Sequence, residues 1–188
     1  MAVVQNTPFQ TMLFCIEDFT TIDILPEFIH ELNYNDNYLG QKIAEMMEKK
    51  CNVHGLVLPE SEIIQKSVGF FPNESFSGSI RYRIKYRISI FKPFVDSIVR
   101  VTIKEDNDFG LWGYYLLEDT EDVSDEIKNY FAHHNHPMTI LIPKQLHCQD
   151  IENYNKCKKN ESYLVRIKKA GCNQGDKNIS CIGILYNS

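Results

Sequence analysis

The chain has 188 residues, 43% of them hydrophobic and 24% charged, which excludes wholesale disorder and leaves room for one domain or two small ones. The formal net charge of −5 is unevenly spread: six acids lie between residues 118 and 126, and without them 20 bases face 19 acids. Residues 75–95 hold five bases and no acid, so an acidic balance does not exclude a basic face for phosphates or an acidic protein.

Residues 1–11 are expected to be a flexible start. Alternation at Met12, Phe14 and Ile16 predicts a strand, which Ile22, Ile24 and Leu25 extend up to Pro26. Polar residues 33–37 supply helix caps, and Leu39, Ile43, Met46 and Met47 fall on one face of the helix behind them. Lys49 and Lys50 close it, matching the negative end of the helix dipole. Residues 53–58 and 63–71 predict short strands separated by Pro59. Next, Ile80, Tyr82, Ile84, Tyr86, Ile88 and Ile90 alternate with Arg81, Arg83, Lys85, Arg87, Ser89 and Phe91. A period of two over this length predicts a long strand with one apolar and one basic face, ended by Pro93. A domain boundary is placed there, giving units over 12–93 and 94–188.

The second unit predicts strands over 95–103, 109–116, 138–142, 162–168 and 179–186. Five short strands in so few residues suggest a small closed barrel of the OB type. The acidic segment near 116–137 reads as an insertion, with a short helix capped by Ser124 and carrying Ile127, Tyr130 and Phe131 on its apolar side. No N-terminal basic region leads into an apolar stretch, and no apolar run approaches the length of a bilayer span. The six cysteines form no close pairs, so reduced intracellular thiols are the expectation.

The string KYRISIFKPF from Lys85 to Phe94, followed by DSIVRVTI, is the most specific stretch. With MTILIPKQL from Met138, SYLVRIKKAGC from Ser162 and the closing GILYN, it resembles the seventh-subunit family of multisubunit RNA polymerases. That family has archaeal, eukaryotic and large-DNA-virus members. The resemblance implies an α+β, β-rich rod: a strand-helix-strands domain that docks on the polymerase core beside the clamp, then an OB barrel of the ribosomal-protein-S-one type facing nascent RNA. It implies as partners the large polymerase subunits, a helical fourth-subunit-like protein and single-stranded RNA, with no membrane and no cofactor. The function it implies is that of a non-catalytic stalk subunit. The place implied is a virion or a cytoplasmic viral factory if the gene is viral, and otherwise the nucleus. Two departures are visible: Val95, Asp96 and Ser97 replace the family's Gly-Glu pair, and the acidic segment is additional.

In such a barrel, bases stack on aromatics and phosphates run along basic residues. The segment Asp108 to Gly113 resembles the second barrel strand, which maps the two RNA-facing aromatics onto Phe109 and Trp112. Trp112, the sole tryptophan, could instead fill the barrel core. Ile142 stands where many such barrels carry a histidine. Lys144, Arg166, Lys168 and Lys169 are candidate phosphate contacts. Arg81, Arg83, Lys85 and Arg87 face nucleic acid, an acidic protein surface, or only water. Phe91, Pro93 and Phe94 form the expected domain junction. His133, His134, His136, His147, Cys148 and Cys157 are close in sequence but lack zinc-site spacing, so no metal is expected. Neither a nucleophile elbow nor a phosphate-cradling glycine loop is present. Spacing leaves a cysteine-histidine nucleophile pair open, and Cys148 beside His147 is the obvious candidate. A stand-alone OB-fold RNA-binding or translation-type factor and a small thiol enzyme remain the alternatives.

Overall fold

The computed structural model describes residues 12–34, 37–72, 77–117, 123–132, 136–147 and 154–186. The expectations for residues 1–11, the acids within 118–122, His133, His134 and Cys148 lie outside the described residues.

The N-terminal half is built on one antiparallel sheet. Strand β1 (Leu13–Ile24) pairs along its whole length with β4 (Ile80–Phe91), Leu13 opposite Phe91 and Ile24 opposite Ile80. The short strands β2 (Leu56–Val57) and β3 (Glu62–Lys66) also pair with β4. Because side chains alternate across a strand, Ile84, Tyr86, Ile88 and Ile90 share one face with Ile22 and Ile24 of β1. Helix α2 (Tyr38–Met47) covers that face with Leu39 and Ile43. Lys50 Nζ donates to the Glu45 and Met46 carbonyls at 2.7 and 3.2 Å, satisfying acceptors left open at the end of this helix. A 3-10 turn (Pro26–Phe28) and helix α1 (Ile29–Tyr34), neither foreseen from the sequence, bridge β1 and α2.

Both short strands are shorter than expected. The one expected over 53–58 shrinks to two residues because Asn52 Oδ1 accepts the His54 and Gly55 amides at 2.8 and 3.1 Å, and Gly55 turns at φ +147°. The one expected over 63–71 is bulged after Ile63, although Phe70 still exchanges backbone hydrogen bonds with Arg81 at 3.0 and 2.8 Å.

The C-terminal half is the expected closed five-stranded barrel. Its strands are β5 (Ile98–Asn107), β6 (Gly110–Tyr115), β7 (Met138–Pro143), β8 (Ser162–Gly171) and β9 (Ile179–Leu185). They close in the order β5-β6-β7-β9-β8, with β7 and β9 parallel and the other described pairs antiparallel, which is an OB-fold arrangement. Val101, Ile103, Leu111, Ile140, Ile142, Val165 and Ile167 fill the interior. At Gly113 a Cβ would lie 2.5 Å from a Val101 methyl and 2.6 Å from the Thr102 carbonyl oxygen. Gly113→Val is therefore expected to cost about 1–3 kcal/mol through overpacking. Chemical denaturation checks this, and an unchanged midpoint contradicts it.

The two halves meet around an aromatic cluster. Helix α3 (Asp125–Ala132) starts where Ser124 Oγ accepts the Ile127 amide at 3.3 Å, the capping role expected of it. The same hydroxyl donates to the Glu60 carboxylate of the N-terminal half. Phe131 on this helix meets Phe91 edge-on at 5.2 Å, and Phe91 stacks on Tyr115 at 5.7 Å. The acidic segment thus leads into a helix that builds the junction. Met12, Cys51, Leu56, Leu58 and Phe91 belong to the same core cluster as the barrel interior. Phe91 and Pro93 are buried, whereas Phe94 is 39% exposed, outside the shared core.

One expectation is corrected. Cys51 and Cys172, 121 residues apart in sequence with Cα atoms 6.2 Å apart, are joined by a disulfide. A pairing this distant leaves no close Cys motif in the sequence, which is why reduced thiols are the expectation from the sequence alone.

Candidate nucleic-acid interface

The turn between β5 and β6 presents the first aromatic. Asn107 Oδ1 accepts the Phe109 and Gly110 amides at 3.0 and 3.1 Å, folding a tight Asx turn. Gly110, at φ +152°, passes so close to the Ile142 carbonyl that a Cβ there would collide with it. Phe109 sits at the tip, 78% exposed. Along β6, Leu111, Gly113 and Tyr115 point inward, which leaves Trp112 and Tyr114 on the outer surface. Trp112 is 38% exposed and is not part of the barrel core.

Register places the rest of this surface. Trp112 lies opposite Leu141 of β7, Leu141 beside Ile182 of β9, and Ile182 opposite Lys169 of β8. These form one outward band across four strands, aromatic at one end and cationic at the other. A second row runs through Tyr114, Thr139, Ser180 and Gly171, with the His136 ring stacked on Tyr114 at 3.8 Å and 17°. The sequence reading missed this stacked pair, though alternation from Trp112 alone puts Tyr114 on the same face. The Lys144 amide donates to the Phe109 carbonyl at 3.2 Å, bringing that lysine to the tip.

Phe109 and the Lys144 backbone therefore meet at the β5–β6 turn, Trp112 faces outward on β6, and Lys169 faces outward on β8, with β5 between those two strands in the closed barrel. Arg166 and Lys168 are engaged elsewhere: the Arg166 guanidinium lies 4.8 Å from the Tyr186 ring centre, and Lys168 bonds Asp96 at 2.8 Å. That bond holds the Asp96 carboxyl below its ordinary range. Glu105, opposite Trp112, and Asp106 and Asp108 near the turn keep the Phe109 end from being strongly cationic.

The basic face of β4 is largely neutralised by its neighbours. Arg81 grips Asp23 with two bonds of 2.6 Å. Arg87 reaches Glu17 at 2.9 Å and Glu62 at 3.2 Å, and Lys85 reaches Glu17 at 2.7 Å. Asp23 faces Arg81 directly, and both Glu17 and Glu62 face Arg87, so these are cross-strand pairs set by register. Arg83 instead lies over the Phe70 ring at 5.4 Å. The Arg81 hydrogen bonds lower the Asp23 pKa from its usual 3.8. A depressed carboxylate contributes stability above the unfolded value and loses it as pH falls through the folded one. Acid titration below about pH 4 should therefore weaken the sheet, and Arg81→Ala should flatten that dependence. Identical acid profiles for the two chains would contradict the pairing.

Of the cysteine and histidine candidates, His147 is the one whose ring contacts are set by backbone groups among the described residues. His147 is buried; its Nδ1 lies 3.0 Å from the Pro143 carbonyl, and its Nε2 accepts the Leu185 amide at 2.9 Å. With Nδ1–H donating, both nitrogens are spent on backbone, and none is left to serve Cys148 as a base. His147→Ala should cost about 1–3 kcal/mol by orphaning both partners. A denaturation midpoint equal to wild type would show that the imidazole is dispensable. Burial pushes the Cys157 thiol up, and that of Cys181 to about 12. Among the described residues no group of three or more His, Cys, Asp or Glu could hold a metal ion. No helix among them is long and apolar enough to cross a membrane.

No protein-family model matches the chain. Over 89 residues it is 33% identical to the protein named "Putative DNA-directed RNA polymerase subunit L376" of Acanthamoeba polyphaga mimivirus. The aligned stretch is 47% of this chain and spans 41% of that relative's length. The chain is thus a distant homologue of a viral protein so named, and it carries an OB-type barrel.

Proposed function

We propose that the chain is a non-catalytic stalk subunit of a multisubunit DNA-directed RNA polymerase, of the seventh-subunit type. Residues 12–93 form the docking unit that meets the large subunits near the clamp, and residues 94–188 form the unit that contacts emerging RNA. The observation that carries this reading is the outward display of Phe109 and Trp112 on a closed OB-type barrel, with the Lys144 backbone bonded at the same turn and Lys169 exposed on β8. Exposed aromatics and cations on an OB barrel are the parts that hold single-stranded nucleic acid without chemistry. The viral relative, by its name, supports polymerase as the assembly.

Because the ion pairs absorb most of the β4 charge, its outer face suits a protein partner better than bare phosphates. That favours the large polymerase subunits, or a helical fourth-subunit-like protein, as its neighbour. In a virus-encoded setting the protein works in a cytoplasmic viral factory and travels in the virion. Affinity purification of the full chain from cells that express it tests the reading. Recovery of the two large polymerase subunits is the expected result. Isolation as a lone RNA-binding monomer would replace this reading with that of a stand-alone OB-fold factor.

A further inference from the structure

The Cys51–Cys172 bond sits where two distant segments already hold each other. Cys51, just past α2, is buried, and Cys172 follows β8 and is half-buried. The Cys51 amide donates to the Asp176 carbonyl at 2.7 Å, and the Gly175 amide donates to the Cys51 carbonyl at 2.9 Å. The loop is itself closed: the Asn173 amide donates to Asp176 Oδ2 at 3.0 Å, and the Asp176 amide to the Asn173 carbonyl at 3.1 Å. Gly175, at φ +88°, takes the left-handed turn, and nothing would crowd a Cβ there. The β8–β9 loop therefore docks on the N-terminal half through a reciprocal pair of backbone hydrogen bonds, and the disulfide is added to that contact.

We infer that Cys51 and Cys172 form a reversible thiol–disulfide clamp that locks the β8–β9 loop to the N-terminal half when oxidised and releases it when reduced. Closure proceeds by exchange. The Cys172 thiolate, the more accessible of the two, attacks a sulfur of a small disulfide donor of the glutathione type and expels one donor thiolate. The Cys51 thiolate then attacks the Cys172 sulfur and expels the second. Two electrons pass to the donor, and the two cysteine protons leave to solvent. A dithiol reductant runs the same steps backwards. Both cysteines belong to one folded chain, so re-closure is intramolecular. Of the other described cysteines, Cys181 is buried and Cys157 half-buried, whereas Cys15 is exposed and takes the donor only as a mixed disulfide, which peptide mapping distinguishes from the Cys51–Cys172 cross-link.

The clamp lies at one end of the barrel's outer surface, where Gly171 and Ser180 end the row that begins at Tyr114. Oxidation thus fixes a loop bordering that surface. Reducing cytosol would open the clamp and an oxidising exterior would close it. It operates whatever the barrel face binds.

The test uses the full chain, incubated with oxidised glutathione or with excess dithiothreitol, and read by non-reducing peptide mapping and amide hydrogen exchange. After oxidation, peptides carrying Cys51 and Cys172 should be recovered cross-linked. On reduction, amides of 172–178 and of Cys51 should exchange roughly tenfold faster while β5, β6 and β7 keep their protection. Cys172→Ser should exchange like the reduced wild type under both conditions. Separate alkylation of the two cysteines after oxidation would overturn the clamp, as would identical loop exchange in the two states. Loss of protection across the whole barrel on reduction would overturn it too, since the bond would then be a structural staple. The wild-type comparison decides the matter even if the serine variant misfolds.

Discussion

Replacing Phe91 by alanine should lower stability by about 3–5 kcal/mol, the range for deleting a fully buried aromatic ring. Phe91 is 0% exposed. It ends β4 and is paired with Leu13 on one side and Leu56 on the other. Its ring stacks on Tyr115 of the barrel and takes the edge of Phe131 from α3. Truncation opens a cavity where three segments meet, and none can shift without dragging its own strand or helix. A domain typically holds only about 5–15 kcal/mol in reserve. Calorimetry should therefore show a melting temperature lower by roughly 10 °C, with Phe91→Leu recovering part of the loss. A change within about 2 °C would mean that the two halves do not depend on this ring.

Trp112→Ala should leave the fold intact yet weaken binding of single-stranded RNA about 5- to 150-fold, the equivalent of one base–aromatic stack of about 1–3 kcal/mol. The separation of the two effects follows from position. Trp112 stands on the outer band with Leu141 and Ile182, while its neighbours Leu111 and Gly113 face the interior. Phe109→Ala should act in the same direction from the turn. Lys169→Ala should instead reduce the salt dependence of binding by about one phosphate contact. Melting curves checked alongside the titrations separate lost binding from lost folding. A Trp112→Ala chain that unfolds would place the indole in a structural role.

What the sequence made legible follows from the range of the interactions involved. The alternation from Ile80 to Ile90 is a local signal strong enough to define β4 and its inward face, and the cap at Ser124 with Ile127, Tyr130 and Phe131 defined α3 as readily. The five barrel strands were found because each is a short apolar alternation between turn residues, although β5 runs to Asn107, four residues past the expected end. Helix α1 was invisible because six residues give too little periodicity to stand out. The charge on Arg81 and Arg87 was plain, but its cancellation was not. Asp23 and Glu17 lie 58 and 70 residues away, and only strand register brings them opposite. The same distance problem hid the Cys51–Cys172 bond. His147 is a metal or base candidate by residue type alone. The structure uses it instead to satisfy two backbone groups.

Trp112 is the sole tryptophan, so its emission reports on the barrel face and on nothing else in the chain. Titrating the full chain with a short single-stranded RNA should quench that emission saturably, and raising the salt should reverse the quench. Emission that stays constant while RNA is shown to bind by another method would place the RNA elsewhere on the molecule. Emission that stays constant with no binding at all would remove RNA from the function of this barrel.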